Sequence, residues 1–196
     1  MPPQAKILLV DDRSENLLAL EAILSSLGQE LVCVRSGDAA LAALLADEFA
    51  VILMDVVMPG MDGFETAAHI KQRSRTQDVP IIFLTAAGAE PDLAFRGYAA
   101  GAVDYISKPF DPWVLRAKVS VFVDLYLKDR QLRLAAELSS RLDAVQDAAS
   151  TVAGLAVART DATLAGRLTE LNAAVASLRR TIEALHVPES DISINP

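Results

Sequence analysis

The chain has a single cysteine, few aromatic residues and no excess of positive charge. Of its 196 residues only Cys33 is a cysteine, 5% are aromatic, and 18 Lys and Arg face 26 Asp and Glu, a formal net charge of -8. One cysteine excludes an internal disulfide and fits a reducing compartment. The negative charge disfavours non-specific attraction to nucleic acid or to an anionic membrane surface.

Long apolar runs are also missing from the sequence. No run approaches the roughly 18 residues that a membrane-spanning helix requires, and the N-terminal MPPQAK lacks the apolar region of a secretory signal. Apolar residues nevertheless make up 52% of the chain and charged residues 22%, which is typical of a globular protein with a real core. We therefore expect a cytoplasmic protein that does not enter a membrane.

Short apolar segments alternate with helical patterns in the first part of the chain. The segments that predict strands are KILLV (6–10), LVCV (31–34), AVILM (50–54), PIIFL (80–84) and a weaker AVDYI (102–106). They are apolar throughout, as expected when both faces of a sheet are covered. Amphipathic stretches at 15–28, 37–48 and 63–73 predict helices between them. This alternation indicates an α/β fold with a doubly wound parallel sheet.

The pattern changes after Pro112, where strand signals stop. From Trp113 to Leu185 the sequence is rich in Ala and Leu and contains no proline. Its last portion carries a 4-3 repeat of apolar residues, which is typical of a coiled coil. The repeat comprises Leu164, Leu168, Leu171, Val175, Leu178, Ile182 and Leu185.

The sequence leaves two arrangements of this helical segment open. Leu138, Val145 and Val152 keep a seven-residue spacing, but the phase slips before Leu164. Asp161 could cap a new helix there, so a hairpin of two helices competes with one long rod.

Polar residues follow four of the five predicted strands. Asp11 and Asp12 come after the first, Asp55 after the third, Thr85 after the fourth and Lys108 after the fifth. The carboxyl ends of parallel strands meet at one edge, where such sheets bind ligands. Three carboxylates at close range cannot all stay ionised without a cation, and oxygen ligands suit Mg²⁺. A lysine and a hydroxyl at the same edge suit the oxygens of a phosphoryl group.

Four motifs in this order carry a resemblance to a known family. They are ILLVDD (7–12), LMDVVMPGMDG (53–63), IIFLTA (81–86) and GAVDYISKPF (101–110). Together they resemble the receiver domain of bacterial two-component response regulators. The resemblance covers about residues 5–125 and implies a flavodoxin-like five-stranded sheet in the order 2-1-3-4-5. We expect a receiver domain over 1–125 and an all-α coiled-coil extension over 126–196, continuing from the helix after the fifth strand and frayed from about 187.

The resemblance also implies the ligands of a Mg²⁺ ion. Asp55 would be the phosphoacceptor and would also contact the metal. Asp12 would be a direct ligand, Asp11 would hold the ion through water, and the backbone carbonyl of Val57 would complete the site.

Phosphoryl binding and switching are implied for further residues of the same motifs. Lys108 and backbone N–H groups near Ala86 would hold the phosphoryl oxygens, and the Lys108–Pro109 bond resembles the family's cis peptide. After phosphorylation the Thr85 hydroxyl would move to the phosphoryl group and Tyr105 would rotate inward. The changed surface would be that of the fifth strand and the helices on either side of it.

The chemistry expected of this site is self-modification. Asp55 would take a phosphoryl group from a histidine kinase or from a small acyl phosphate, and later lose it, with no turnover of an external substrate. Val57 and Ala87 occupy the positions that tune water access in the family. Neither side chain can hydrogen-bond an attacking water, so we expect slow self-dephosphorylation.

The helical extension is expected to provide the output. From residue 133 onward it contains six arginines, no lysine and eight acidic residues, which argues against DNA or RNA as a partner. The favoured hypothesis is a homodimer formed through the C-terminal helix, which signals to a downstream protein. A nucleic-acid-binding regulator of transcription or antitermination with an atypical helical output, and a phosphate sink without output, remain alternatives.

Overall fold

A five-stranded parallel sheet forms the centre of the first part of the chain. The computed structural model describes residues 4–86, 103–158 and 162–184. Its strands are β1 (Lys6–Val10), β2 (Glu30–Val34), β3 (Val51–Asp55), β4 (Ile81–Ala86) and β5 (Asp104–Lys108). All neighbouring strands pair in parallel, in the order β2-β1-β3-β4-β5. The predicted α/β fold with a flavodoxin-like sheet is therefore confirmed.

Five α-helices lie within the described residues. They are α1 (Ser14–Leu24), which continues into a 3-10 turn at Ser25–Leu27, α2 (Gly37–Ala46), α3 (Gly63–Lys71), α4 (Pro112–Ala158) and α5 (Ala162–Ala184). Polar residues define where the early helices begin. The Ser36 hydroxyl accepts a hydrogen bond from the N–H of Ala39, and the Asp62 carboxylate accepts one from the N–H of Glu65. These N-caps satisfy N–H groups that the first helical turn leaves without partners.

Side chains that alternate along each strand form two separate apolar layers. Ile7 and Leu9 pack on one face of the sheet in a cluster with Leu20 of α1 and Leu115 of α4. Leu8, between them, packs on the other face in a cluster that includes residues of α2 and α3. Because both faces are covered, the central strands are apolar except near their ends, where Lys6, Asp55 and Thr85 lie.

The chain divides into two compact units, Met1–Leu127 and Lys128–Pro196. In the second unit α4 and α5 contact each other. Ala149 and Leu168 form a small buried cluster, and Nη1 of Arg179 lies 3.0 Å from Oδ1 of Asp143. The contacting residue numbers rise along one helix as they fall along the other, so the two helices form an antiparallel hairpin. Of the two arrangements that the sequence left open, the hairpin is the one present.

Two sequence-based predictions about this unit cannot be compared with the structure. The expected helix cap at Asp161 and the frayed tail from about 187 lie outside the described residues. Among the helices of the described part of the chain, none is long and apolar enough to cross a membrane.

Candidate functional site

Three carboxylates converge at the carboxyl edge of the sheet. Asp55 is the last residue of β3, and Asp11 and Asp12 directly follow the neighbouring strand β1. One oxygen from each of the three lies within 4.8 Å of the others. Asp11 is fully buried and Asp55 is 8% exposed, whereas Asp12 is partly exposed. The arrangement concentrates negative charge in a partly desolvated place.

Lys108 supplies a positive charge to this cluster from β5. Its Nζ lies 2.9 Å from Oδ2 of Asp11 and 3.2 Å from Oδ1 of Asp55. Burial raises the pKa of Asp55, Lys108 lowers it and the nearby Asp11 raises it again, with a net upward direction. One ammonium group therefore compensates the acidic cluster only in part.

Asp11 has further hydrogen-bond donors around it. Its Oδ1 accepts from the backbone N–H of Arg13 at 3.0 Å. The side-chain amide of Asn16 in α1 lies 2.9 Å from both carboxylate oxygens. Together with Lys108, these donors explain how a carboxylate can remain completely buried.

Thr85 contributes a buried hydroxyl to this edge of the sheet. It precedes the last residue of β4, the strand that pairs with β3, and it is 6% exposed. Its Oγ1 is buried and has no hydrogen-bond partner among the residues that the structure describes. An orphaned buried hydroxyl is costly, and a phosphoryl oxygen is a group that could satisfy it.

The remaining predicted residues lie around this edge. Val57 follows β3 and its side chain is 74% exposed, while Tyr105 in β5 is 43% exposed. Ala86, the last residue of β4, pairs in register with Lys108, and the Lys108–Pro109 peptide is cis. Ala87, to which the sequence assigned a part in hydrolysis, lies outside the described residues.

Two residues at the site were not singled out from the sequence. Asn16 was missed although it stands four residues after Asp12 in the first turn of a predicted helix. Arg35, which follows β2, donates to the backbone carbonyl oxygen of Asp12 from Nε at 3.2 Å and Nη2 at 2.9 Å. A strand-end arginine carries no motif, so only the register of β1 with β2 places it there.

Gly63 also shapes the site through its missing side chain. A Cβ on this residue would clash with the backbone carbonyl oxygen of Asp55 and lie 2.9 Å from Cα of Val56. The N–H of Gly63 donates to the carbonyl oxygen of Val56 at 2.9 Å. The sequence showed a glycine in a loop, but the close approach to Asp55 required the folded backbone.

The donor set fits a divalent cation that prefers oxygen. Three carboxylate oxygens within 4.8 Å of one another, two of them on largely buried side chains, match the hard ligands that Mg²⁺ takes. The positive charge of such a cation would add to that of Lys108 in balancing the three carboxylates.

Comparisons with known proteins agree with this geometry. Residues 7–120 match the family model of the response regulator receiver domain. The response regulator PleD of Caulobacter vibrioides is 34% identical over 151 residues, which cover 77% of this chain and 33% of PleD. The chain thus spans about a third of the length of this curated relative.

Solved structures show the same likeness. The chemotaxis protein CheY4 of Vibrio cholerae is 32% identical, with a TM-score of 0.58 over 61% of this chain and 99% of that one. The receiver domain of the sensor histidine kinase PA1611 from Pseudomonas aeruginosa, described with a magnesium ion in its active-site cleft, is 32% identical. Its TM-score is 0.57 over 62% of this chain and 99% of that one. The family match covers more than half of the chain, and the chain therefore belongs to the response regulator receiver domain family.

Proposed function

We propose that Asp55 accepts a phosphoryl group from the phosphohistidine of a histidine kinase, or from a small acyl phosphate. The observation that carries the proposal is the position of the Asp55 carboxylate. It lies at the end of a buried strand, within 4.8 Å of two other carboxylates and 3.2 Å from the Lys108 ammonium. A nucleophile, a cation and an orphaned hydroxyl at one sheet edge suit phosphoryl transfer.

In the transfer step an oxygen of the Asp55 carboxylate attacks phosphorus. A new P–O bond forms, the P–N bond to the donor imidazole breaks, and the departing imidazole takes up a proton. The product is a mixed anhydride on Asp55. Lys108 and the backbone N–H groups near Ala86 hold the phosphoryl oxygens and stabilise the charge that spreads over them.

Asp12, Asp55 and the backbone carbonyl of Val57 are the proposed direct ligands of Mg²⁺, and Asp11 would hold the ion through water. When bound, the ion supplies positive charge that neutralises the phosphoryl oxygens and the surrounding carboxylates. The three carboxylates support this assignment because they already converge on one another.

The proposed switch uses Thr85 and Tyr105. The Thr85 hydroxyl is buried and has no partner among the described residues, so a phosphoryl oxygen gives it an acceptor. Tyr105 is 43% exposed, and in the proposed switch its ring turns from solvent toward the position that the hydroxyl leaves. Such a change alters the surface around β5 and the first turns of α4. Hydrolysis is expected to be slow because Val57 has no polar side chain to position a water.

Phosphoryl uptake can be tested with two small donors. Phosphoramidate offers a P–N bond and acetyl phosphate an acyl P–O bond, and phosphorylated protein is separated on a phosphate-affinity gel. The proposal predicts uptake by the wild-type chain with Mg²⁺, no uptake by Asp55→Asn, and no uptake with a chelator. Equal uptake by Asp55→Asn would contradict it.

We further propose that the helical hairpin dimerises with a second copy of the chain. Within the hairpin, Leu168 and Val175 of α5 are 9% and 7% exposed. The alternate members of the same 4-3 repeat, Leu171 and Leu178, are 44% and 52% exposed. Of the five repeat members whose side chains the structure describes, Leu171 and Leu178 are therefore largely left to solvent, whereas Ile182 is partly buried.

The facing helix shows the same division. The more buried positions of α4 in this unit include the small or polar Ala135, Ser139 and Gln146. Among the larger apolar side chains of α4 here, Leu142 is partly buried, whereas Leu138 and Val145 are 51% and 46% exposed. A two-helix unit that leaves several larger apolar side chains exposed on both helices supports association into a four-helix arrangement.

Paired charge substitutions test the dimer. The variant Leu138→Glu with Val145→Glu places two acids on the apolar side of α4, and we expect it to be monomeric in light scattering after size exclusion. The control is Ala136→Glu with Ser140→Glu, which adds the same charge at exposed positions roughly opposite on the helix. A dimeric Leu138→Glu, Val145→Glu variant, or two equally monomeric variants, would contradict the proposal.

A further inference from the structure

The buried carboxylate of Asp11 is held by more donors than Lys108 alone. Oδ1 accepts from the N–H of Arg13 and from the amide of Asn16, and Oδ2 accepts from Asn16 and from Lys108. A carboxylate has about four acceptor sites, so these four contacts come close to saturating it. Asn16 is the donor that reaches both oxygens.

Lys108 is shared between two partners, and this sharing creates a conflict. Its Nζ lies 2.9 Å from Asp11 and 3.2 Å from Asp55. If Lys108 moves toward the phosphoryl oxygens on Asp55, its contact with Asp11 lengthens and weakens. Asp11 is fully buried, and a buried carboxylate that loses a charged partner is costly.

Lys108 also borders open space. A cavity of about 240 Å³ borders the site, and Asp11, Asn16 and Lys108 line it together with apolar residues such as Leu20 and Phe110. The Lys108 side chain is 25% exposed. The Lys108 side chain is therefore not closely packed on every side, and part of it borders open space or solvent.

We infer that Asn16 is a positioning residue for phosphoryl transfer. Its amide keeps the buried Asp11 carboxylate hydrogen-bonded and oriented while Lys108 moves toward the phosphoryl oxygens. The inference rests on the proposed phosphorylation of Asp55. Without the amide, Asp11 depends more strongly on Lys108, which then stays on Asp11 and stabilises the moving phosphoryl group less.

A purely structural role for Asn16 makes a different prediction. If the residue only supported the start of α1, its loss would lower the free energy of unfolding and weaken Mg²⁺ binding together with phosphorylation. If it releases Lys108, phosphorylation suffers more than Mg²⁺ binding does. The ratio of the two effects distinguishes the roles.

The test uses the full chain with three single substitutions. Asn16→Leu removes the amide at similar size, and Asn16→Gln keeps it on a longer side chain that has the neighbouring cavity for room. Glu15→Gln, at an exposed position on the same helical turn, is the control. The rate of phosphorylation by acetyl phosphate at saturating Mg²⁺, the Mg²⁺ dissociation constant from calorimetry and the urea unfolding curve are measured for each.

We expect phosphorylation of Asn16→Leu to be about tenfold slower, equivalent to about 1.4 kcal/mol, while its Mg²⁺ dissociation constant changes less than about threefold. Asn16→Gln recovers most of the rate, and Glu15→Gln matches the wild type. Equal rates in Asn16→Leu and the wild type would overturn the inference, as would parallel losses of phosphorylation, Mg²⁺ binding and stability. If the proposed function itself were wrong, the wild-type chain would take up no phosphoryl group, which is a different result from either of these.

Discussion

The Nζ of Lys108 lies 3.2 Å from Oδ1 of Asp55, so the last residues of β5 and β3 form an ion pair across the intervening strand β4. The pair does not cancel the cost of burying Asp55. Burial is the largest influence on the pKa of Asp55 and raises it. The positive charge of Lys108 lowers this pKa, and the negative charge of Asp11 raises it further. Asp55 is therefore a carboxylate that the fold holds at a cost to stability.

Replacing Asp55 is expected to stabilise the protein at neutral pH. Because the folded-state pKa is raised, the native protein binds this proton more tightly than the unfolded chain. Wild-type stability consequently falls as pH rises from the unfolded pKa through the folded one. Asp55→Asn removes this loss, so its free energy of unfolding exceeds that of the wild type at pH 7, and the difference shrinks in acid. Urea unfolding at a series of pH values measures it, and a constant difference across that series would contradict the explanation.

Mg²⁺ is expected to stabilise the folded chain through the three carboxylates. A ligand that binds only the native state at a hundred times its dissociation constant adds about 2.7 kcal/mol to the free energy of unfolding. Thermal unfolding with and without Mg²⁺ measures the effect. Asp12→Asn should lose most of it, because Asp12 is one of the three converging acids. If both proteins gained equally from Mg²⁺, the ion would be binding elsewhere.

Alanine at Gly63 should disturb both the fold and the phosphoacceptor. Its Cβ would clash with the Asp55 carbonyl oxygen, and overpacking of this kind costs about 1–3 kcal/mol. We expect lower stability in urea and slower phosphorylation by acetyl phosphate. Gly166→Ala in α5 is the matched control, because a Cβ there has nothing within 4 Å. Because Gly166 lies in a helix, Gly166→Ala should be neutral or stabilising by up to about 1 kcal/mol. If Gly63→Ala were as stable and as rapidly phosphorylated as Gly166→Ala, the predicted clash would be refuted.

Cys33 should react slowly with thiol reagents in the folded protein. Burial raises the pKa of its thiol to about 12, and a hydrogen bond with Glu21 adds to the effect. A raised pKa lowers the fraction of thiolate at about pH 8 but makes each thiolate more nucleophilic. The loss of thiolate is the larger effect, so alkylation at pH 8 should be roughly thirty- to a hundredfold slower than for a free cysteine. Iodoacetamide kinetics in buffer and in urea test this. Glu21→Gln should react faster than the wild type, and equal rates in buffer and urea would show an accessible thiolate.

The sequence predicted the sheet well because its physical signals are local. The strand KILLV is predicted at its observed bounds, since a strand covered on both faces is apolar where it is buried, here from Ile7 to Val10. Acidic residues directly after two predicted strands also placed Asp11, Asp12 and Asp55 at one edge. Lys108 joined them because β5 ends at the same edge.

Contacts between distant elements were harder to predict. Asn16 gives no signal beyond its place in a helix, and its contact with Asp11 depends on the rotation of α1 against the sheet. The 4-3 repeat predicted helices that pack, yet it did not reveal that Leu168 and Val175 pack within the chain while Leu171 and Leu178 remain exposed. Both pairs have the same seven-residue spacing, so the spacing alone does not say which pair faces the neighbouring helix.

The most direct test of the account locates the phosphoryl group in the chain. The wild-type protein is treated with acetyl phosphate and Mg²⁺, the acyl phosphate is reduced with borohydride, and the peptides are sequenced by mass spectrometry. The account predicts that Asp55 alone is converted to homoserine, and that conversion is lost when Mg²⁺ is removed. Conversion at Asp11 or Asp12, or no conversion anywhere in a folded protein, would contradict the central claim.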